Sequence, residues 1–306
     1  MPTMKTARSV FICSVSLLLA SFVATASENS KSPQVYAIWS NGVKTPAVCL
    51  GRAEWFVSIV PESLDASELS PPSLEGDATD AVETDILFLD EQRRICLVQS
   101  AESLGAKPMP LASNSETRAG LKLLCREGTE TCKSTIAGKD SSYRGEILSP
   151  PMLRIRVAGA KHFGHPGASL INEKGEIEGI LTERVLEHEY EAHAIPASQL
   201  RKLIFELEHF KRSGPVWVGL LFHDQSSTPI VLEVRPDSPA SEAGIEAGDI
   251  VLHLNQVEIE DLGDLIEAIH DLAAGEDAEL TLLRGLDEIS LHVVPTFSQA
   301  SASPAP

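Results

Sequence analysis

The chain has 306 residues, with 25 lysines and arginines against 44 aspartates and glutamates, so its formal net charge is -19. This acidic excess excludes non-specific nucleic-acid binding, which needs basic residues to displace counterions from phosphates. Apolar residues make up 43% and charged residues 23% of the chain, as in folded globular proteins rather than disordered ones. The length predicts two domains, or one large domain with an appendage.

The first 26 residues have the pattern of a secretory signal peptide. Lys5 and Arg8 precede an apolar run from Val10 to Val23, and Ala24–Ala26 offers a small-residue cleavage site. We therefore expect an exported protein in the periplasm or another extracytoplasmic compartment. The alternative is an uncleaved anchor that tethers the chain to a membrane, because the apolar run approaches the ~18 residues that can span a bilayer.

Residues 27–34 form a polar leader, and residues 35–213 form a body of short strands closed by a helix. The apolar or alternating runs end at Gly, Pro, Asp or Ser, at the spacing of a β-sandwich or barrel. The predicted strands are Val35–Trp39, Ala47–Leu50, Trp55–Val60, Ile86–Leu89, Ile95–Gln99, Leu121–Cys125, Leu153–Val157, Ser169–Asn172 and Ile177–Thr182. The predicted helix runs from Ser198, its expected N-cap, to Phe210, because Leu200, Leu203, Ile204 and Leu207 recur at helical spacing.

Four cysteines lie beyond the signal segment, and an even number in an exported chain permits disulfides. Cys125 and Cys132 flank a short Gly-containing turn, which suits a local bridge as well as two thiols. Cys49 and Cys96 lie in apolar, strand-like runs, where two buried thiols are the simpler interpretation.

The segment Ser213–Pro215 marks a domain boundary, and the charge changes sharply beyond it. Residues 214–295 carry 17 acidic and two basic residues, a net charge of -15, whereas residues 27–213 have a net charge of only -6. The predicted order is strands at Val216–Phe222 and Ile230–Val234, a helical turn at Pro239–Ala243, a strand at Ile250–Leu254, a helix at Leu262–Leu272, and strands at Ala278–Leu283 and Glu288–Val294. Thr296–Pro306 is a Ser/Ala/Pro tail that we expect to be disordered.

The run from Ser238 to Val251 resembles the bacterial PDZ signature. Ser238-Pro239-Ala240 precedes a glycine-bounded apolar turn, and Gly248-Asp249 opens the next strand. Glycines at these positions can supply the left-handed backbone that a helix end and a tight turn require. The resemblance implies an α+β domain that binds an extended peptide as an added strand.

The PDZ resemblance also implies a peptide groove with two walls. The carboxylate-binding loop corresponds to Trp217, Val218, Gly219 and Leu220, and the facing helix lines the groove with a subset of Leu262, Leu265, Ile266 and Ile269. We single out Leu265, Ile266 and Ile269 as peptide-binding, although this face can equally belong to the domain core.

Most of the chain, a body of short strands followed by a helix and the PDZ-like segment, resembles the HtrA/Deg-type serine proteases, whose body is a trypsin-like double β-barrel. Residues 164–172, with the sequence GHPGASLIN, are similar to the segment GNSGGPLVN that carries the nucleophile in that family. Ala194-Ile195-Pro196 and the stretch Pro108–Leu111 match two further segments. The expected fold class is therefore mainly β, a trypsin-like double β-barrel (residues 35–213) followed by an α+β PDZ domain (residues 214–295).

In this alignment all three catalytic positions are changed. The nucleophile falls on Pro166, the general base on Pro61 and the orienting aspartate on Arg94. Proline has neither a hydroxyl nor an imidazole, and an arginine cannot accept the hydrogen bond that orients a histidine. Pro166 also lacks the backbone N–H that the nucleophile residue contributes to the oxyanion hole. The resemblance therefore predicts a pseudoprotease without a catalytic residue.

Two other candidate sites are weaker. Ser169 is the nearest hydroxyl, but it corresponds to a proline in the family and leads into a strand rather than forming a nucleophile turn. Glu187–His193 contains two histidines, yet His188 and His193 face opposite ways in an extended chain, so an acidic loop is expected there. We predict no metal and no cofactor.

The predicted function is peptide or client binding through the PDZ groove, as an adaptor, scaffold or holdase. Basic or internal segments are favoured because the acidic field repels a free carboxylate at long range. Two alternatives stay open: an active serine endopeptidase with relocated residues, and a regulatory subunit of an active paralogue. A homotrimer is compatible with the resemblance; Tyr36 and Trp39 suit either assembly or packing inside the first barrel.

Overall fold

The computed structural model describes residues 33–76, 80–113, 119–127, 130–144, 147–157, 165–184, 191–222 and 227–298. The predicted signal segment, most of the leader and the end of the tail lie outside these residues. Among the helices of the described ranges, none combines the length and apolar composition that a bilayer crossing requires.

The first half of the body is one antiparallel sheet of six strands. They are β1 (Val35–Ile38), β2 (Lys44–Cys49), β3 (Trp55–Ile59), β4 (Ser73–Gly76), β5 (Thr84–Asp90) and β6 (Ile95–Ser100), in the order β4-β1-β2-β3-β6-β5, with a 3₁₀ turn at Ala66–Glu68. The two ends of the sheet approach each other, since Leu74 and Val82 exchange two backbone hydrogen bonds of 2.8 Å. The Thr84 hydroxyl also donates to the carbonyl of Pro72 at 2.5 Å. The sheet therefore curls into the first barrel.

The second half of the body is a closed six-stranded barrel. Its strands are β7 (Lys122–Glu127), β8 (Glu130–Arg144), β9 (Ile147–Val157), β10 (Ser169–Ile171), β11 (Ile177–Arg184) and β12 (Glu191–Pro196), in the order β10-β11-β12-β9-β8-β7. The double-barrel fold expected from the sequence is thus confirmed. The expected acidic loop at Glu187–His193 is wrong at its end, because residues 191–193 are paired with β9 and residues 192–193 also with β11.

One helix, α1 (Ala197–Phe210), follows the second barrel directly. Leu200, Leu203 and Leu207 are buried in a core that contains residues of both barrels, among them Leu97 and Ile180. The predicted apolar stripe is therefore the face that joins the barrels. The N-cap prediction was wrong: Pro196 occupies that position without a side-chain cap, and Ser198 lies inside the helix.

Within its described residues, the C-terminal domain contains eight short strands and two helices. They are β13 (Val216–Trp217), β14 (Leu220–Phe222), β15 (Val231–Val234), α2 (Pro239–Glu242), β16 (Ile250–Leu254), β17 (Val257–Glu258), α3 (Leu262–Asp271), β18 (Ala278–Arg284), β19 (Asp287–Val293) and β20 (Thr296–Phe297). A sheet in the order β17-β16-β18-β19 is accompanied by the pairs β13-β20 and β14-β15. The strand predicted over Val216–Phe222 is interrupted at residues 218–219.

The start of the predicted tail is ordered. Phe297 lies edge-on to Phe210 with 5.5 Å between ring centroids, and the Arg212 guanidinium lies 4.1 Å above the Phe297 ring. The amide of Ser298 donates to the carbonyl of Pro215 at 2.9 Å. The prediction of disorder from Thr296 was therefore wrong for residues 296–298, because one aromatic side chain anchors them.

The cysteines of the first barrel are buried thiols. Cys49 and Cys96 are unbridged, and burial raises the pKa of each thiol to about 12. Cys125 and Cys132 lie opposite each other in the β7–β8 register. The side chain of Cys132 is outside the described residues, so the predicted bridge stays a prediction. Trp39 is 2% exposed and packs inside the first barrel, the simpler of its two expected roles.

A buried ion pair fixes the turn at the start of β16. Asp249 is 1% exposed, and its two carboxylate oxygens accept hydrogen bonds of 2.8 Å from Nε and Nη2 of Arg284. Arg284 also donates to the Gly244 carbonyl and to Glu246. The hydrogen bonds from Arg284 hold the pKa of the Asp249 carboxyl below its usual range. This pair ties the turn between α2 and β16 to the end of β18.

Replacing Asp249 with Asn should lower the free energy of unfolding by about 1–3 kcal/mol at neutral pH. Because the pKa of Asp249 is lower in the folded state than its unfolded value of about 3.9, its stabilisation is complete above that value and is lost as the pH falls through the folded pKa. Denaturant unfolding should therefore show a difference between wild type and Asp249→Asn that shrinks below about pH 4. Asp287→Asn, at an exposed position of the same domain, is the control. A difference that is constant with pH contradicts the assignment.

Candidate functional site

Two of the positions that the sequence alignment assigned to the catalytic triad, Arg94 and Pro61, are in contact. Arg94 ends the turn between β5 and β6 with a positive φ of 56°. Its guanidinium donates to the carbonyl of Val60 from Nε at 3.0 Å, to that of Leu64 from Nη2 at 2.7 Å, and also to the carbonyl of Pro61. The Arg94 carbonyl in turn accepts the Val60 amide at 2.8 Å. Arg94 therefore fastens the turn that follows β3.

An orienting aspartate would accept hydrogen bonds at this position, whereas Arg94 donates them. A guanidinium has donors only and does not lose its charge in proteins. The groups facing Arg94 are backbone carbonyl oxygens, which accept. The position can hold a loop in place, but it cannot accept a proton or a hydrogen bond from an imidazole.

The third changed position, Pro166, lies in a turn of the second barrel that packs against the first. The amide of Gly167 donates to Leu181 O at 2.7 Å, and Gly167 has a φ of +96°. A Cβ at Gly167 would lie 2.9 Å from the carbonyl oxygen of Pro46 on β2. That same oxygen accepts the Ser58 hydroxyl at 2.8 Å. The Pro166 turn therefore lies where the two barrels meet.

Ser169, the alternative nucleophile, is 7% exposed on β10. It lies opposite Arg126 in the β10–β7 register and lines a cavity of about 70 Å³ between the barrels. None of the described residues that line this cavity is a histidine. Among the described residues, the lining of this cavity therefore offers Ser169 no imidazole that could act as a general base.

The histidines that suggested a metal site are not brought together by the described structure. His193 lies on β12 opposite Arg154, whereas His188 is outside the described residues. Within the described ranges, no group of three or more His, Cys, Asp or Glu side chains has the spacing of a metal site.

The second candidate site is the loop between β13 and β14. Gly219 has a φ of +88°, and a Cβ there would lie 2.2 Å from Ser238 Cβ, so only glycine fits. The carbonyls of Val218 and Gly219 accept the amides of Ala240 and Arg235 at 2.9 and 2.8 Å. Among the described residues, none accepts a hydrogen bond from the Gly219 amide. The loop thus directs its carbonyls into the domain and keeps a backbone donor for a ligand.

Only part of the apolar stripe of α3 is exposed. Leu265 is fully buried and belongs to the core, so it presents no surface to a ligand. Ile266 is 9% exposed, and Ile269 is partly exposed at the edge of the same core. The prediction for Leu265 is therefore corrected to a supporting role, because the i, i+3, i+4 pattern also describes the face that packs inward.

On the strand side, Leu220 and Phe222 point toward the same core and are partly exposed. Phe222 was missed by the sequence analysis. The signal was available, since side chains two residues apart on a strand lie on one face and Leu220 was already assigned. Leu220, Phe222 and Ile269 are partly exposed apolar residues packed against this core, and the resemblance to PDZ domains points to them as lining of the peptide groove.

Carboxylates surround the N-terminus of α3. Asp261 caps the helix, with Asp264 N donating to Asp261 Oδ1 at 3.0 Å and Asp264 accepting the Asp261 amide in return. Glu258 and Glu260 are exposed just before it. This end of the groove helix therefore presents several negative charges to any bound segment.

The comparisons with known proteins agree with both halves of this architecture. Residues 216–294 match the family model described as PDZ domain. Serine protease HTRA1 of Xenopus tropicalis is 25% identical over 244 residues, which cover 69% of this chain and 51% of the relative. Serine protease Do-like HtrB of Bacillus subtilis is 26% identical over 162 residues, which cover 46% of this chain and 35% of the relative. The chain spans about half or less of the length of these relatives.

Two solved structures have the same fold. The HtrA-type protease AlgW with tripeptide has a TM-score of 0.56 at 14% identity, over 94% of this chain and 98% of that one. The HtrA-type protease AlgW with decapeptide has a TM-score of 0.53 at 13% identity, over 93% and 99%. The chain thus consists of a trypsin-like body and a PDZ domain, and it is a homologue of the HtrA/Deg-type serine proteases.

Proposed function

We propose that this protein is a peptide-binding homologue of the HtrA/Deg proteases that does not cleave its ligands. It acts through the groove between β14 and α3, as an adaptor, scaffold or holdase outside the cytoplasm. The observation that carries the proposal is the contact of Arg94 with the carbonyls of Val60, Pro61 and Leu64.

The catalytic argument follows from what these groups can donate and accept. A serine protease needs a hydroxyl nucleophile, an imidazole base and a carboxylate acceptor in one hydrogen-bonded row. Here the aligned positions are Pro166, Pro61 and Arg94, and Arg94 is already bound to backbone carbonyls. Loss of such a triad lowers kcat on the order of 10⁶-fold. We infer that the body serves as a scaffold for the PDZ domain.

The binding argument rests on the groove. An added strand needs backbone donors and apolar pockets, and the groove offers the Gly219 amide beside Leu220, Phe222 and Ile269. The similar solved structures of the HtrA-type protease AlgW contain a tripeptide and a decapeptide. These features support an extended peptide as the ligand of this chain.

The charge of the domain selects among peptides. Residues 214–295 have a net charge of -15, and Glu258, Glu260 and Asp261 are exposed next to the groove helix. Such a field attracts cationic ligands and repels anionic ones over a Debye length. We infer that the ligands are basic peptides or internal segments rather than acidic C-termini.

The proposed location is extracytoplasmic. The first 26 residues have the signal pattern, and relatives from Marinomonas and Rhizobium meliloti are named probable periplasmic serine endoprotease DegP-like. Both observations support export of this chain.

The purified protein should not react with a fluorophosphonate probe and should not cleave casein, because none of the described residues that line the cavity at Ser169 is a histidine that could act as its base. An active serine protease assayed in parallel controls for the probe. Labelling that disappears in Ser169→Ala would revive the endopeptidase alternative and contradict the proposal.

Replacing Ile269 with Asp should weaken binding of a peptide selected from a library by at least about tenfold, because a carboxylate enters an apolar groove. Leu286→Asp is the matched control: Leu286 is 98% exposed at the tip of the β18–β19 hairpin. Fluorescence anisotropy measures both affinities. Equal loss in both variants, or no loss in either, rules against this groove as the site.

A peptide with lysines upstream of its bound segment should bind more tightly than its aspartate counterpart at low salt. The difference should shrink as the ionic strength rises from about 0.02 M to about 0.5 M, because salt screens exposed charges. The same anisotropy titration, repeated across this range, measures the effect. A preference for the acidic peptide would contradict the electrostatic part of the proposal.

A further inference from the structure

The helix α1 has a second buried face, which is polar. Gln199, Lys202 and Glu206 are 7%, 9% and 0% exposed. Their spacing of three and four residues places them along one side of the helix. Polar side chains at this depth are unfavourable unless they are hydrogen-bonded, so their partners identify what this face is for.

Two of these side chains bind the last turn of α3. Gln199 Nε2 donates to the carbonyl oxygen of His270 at 2.9 Å and to Asp271 Oδ1 at 2.7 Å, and Lys202 Nζ donates to the same carbonyl at 3.1 Å. The last carbonyls of a helix have no partner within the helix, and a cation near them opposes the negative end of the helix dipole. The body therefore caps the helix that lines the peptide groove.

The third side chain, Glu206, binds two segments: the connection between the domains and the loop that follows α3. Glu206 Oε1 accepts the amide of Ala274 at 2.9 Å, just after α3. Glu206 Oε2 accepts the Ser213 hydroxyl at 2.6 Å and the Gly214 amide at 3.2 Å, in the connection between the domains. One buried carboxylate thus fastens both the connection and the exit of α3.

The turn that carries Arg94 also orients this contact. Nη1 of Arg93 donates to Gln199 Oε1 at 3.3 Å, and because arginine can only donate, the amide nitrogen of Gln199 is turned toward α3. Asp90 holds Arg93 through a 2.8 Å hydrogen bond to Nε. Gln199 therefore has one defined orientation, with its oxygen on the body and its nitrogen on the PDZ domain.

A helix as short as α3, with ten residues, is marginal on its own and depends on its packing and its caps. Its N-terminus is capped from within the domain by Asp261, whereas its C-terminal carbonyl at His270 is bound by the body. A second, weaker contact is the salt bridge of 3.4 Å between Lys139 Nζ on β8 and Glu267 Oε2 on α3.

We propose that Gln199, Lys202 and Glu206 form a mount that fixes the groove helix on the body and so sets the position of Ile266 and Ile269 relative to β14. They are positioning residues for the peptide site and do not touch the peptide. The positioning role rests on the proposed function, whereas the mount itself does not.

Hydrogen exchange of the full chain tests the mount without any peptide. In the double variant Gln199→Leu/Lys202→Met, the amides of residues 268–274 should exchange on the order of tenfold faster than in wild type, because the last turn of α3 loses its donors. Lys202→Arg, which keeps a donor and the charge, should restore much of the protection in the presence of Gln199. Glu208→Gln is the control. Glu208 lies on the same helix but pairs with Arg52 of the body at 3.1 Å, so this variant should not change the exchange of residues 268–274.

Amides of residues 280–284 on β18, outside the segment that the mount binds, report whether the domain is still folded in the double variant. Faster exchange confined to residues 268–274 supports the mount, and unchanged exchange there overturns it. If the β18 amides also exchange faster, Lys202→Met alone replaces the double variant, and the same two outcomes apply.

Peptide affinity then tests the positioning role. The double variant should bind the selected peptide roughly fivefold more weakly than wild type, while Lys202→Arg and Glu208→Gln should match wild type. Unchanged affinity alongside faster exchange overturns the positioning role. If wild type itself binds no peptide, the proposed function and the positioning role both fail, and the exchange result still decides whether the mount exists.

Discussion

The arrangement of this molecule depends on the two buried faces of α1. Leu200, Leu203 and Leu207 pack into a core that both barrels share, so the helix cannot shift without opening the interface between them. An adjacent side of the helix carries Glu206, whose carboxylate accepts hydrogen bonds from the connection and from the loop after α3. The apolar face of α1 packs into the body, and its polar side chains are hydrogen-bonded to the PDZ domain. This one helix therefore fixes the two domains relative to each other.

The two candidate sites differ in what their backbone leaves available. In the body, the carbonyls that follow β3 are occupied by Arg94, and the Pro166 turn is pressed against Pro46. In the PDZ domain, the carbonyls of the loop at Gly219 are directed inward, and its amide has no acceptor among the described residues. The first site is closed by internal hydrogen bonds, while the second retains the donor that an added strand needs.

The distribution of charged residues also differs between the body and the PDZ domain. The body is nearly balanced, and its basic residues take part in internal contacts, as Arg94 does with carbonyls and Arg93 with Asp90. The PDZ domain has few cations, and Arg284 is committed to Asp249. The two arginines of this domain contact Asp249, Glu246 and Glu233. Most of its 17 acidic residues therefore have no arginine or lysine partner from their own domain, and the domain stays strongly acidic.

Much of the fold could be predicted from the sequence, because the patterns that carry it are local. The short apolar runs that became β3 and β6, the helical stripe of α1 and the glycines at 244 and 248 each act over a few residues. The strands β8 and β12 were missed, since their polar side chains have no clear alternation and they are held by pairing with β9. Phe297 likewise is ordered by a ring from α1 that is distant in sequence.

The sequence by itself determined the residue types at the aligned catalytic positions and the acidity of the PDZ domain, because both are properties of composition and order. Only the tertiary structure decided that Arg94 binds the Pro61 turn, that Leu265 lies in the core while Ile269 keeps free surface, and that Gln199 and Lys202 reach α3. Those outcomes depend on which surfaces are brought within hydrogen-bond distance, and no local pattern encodes that distance.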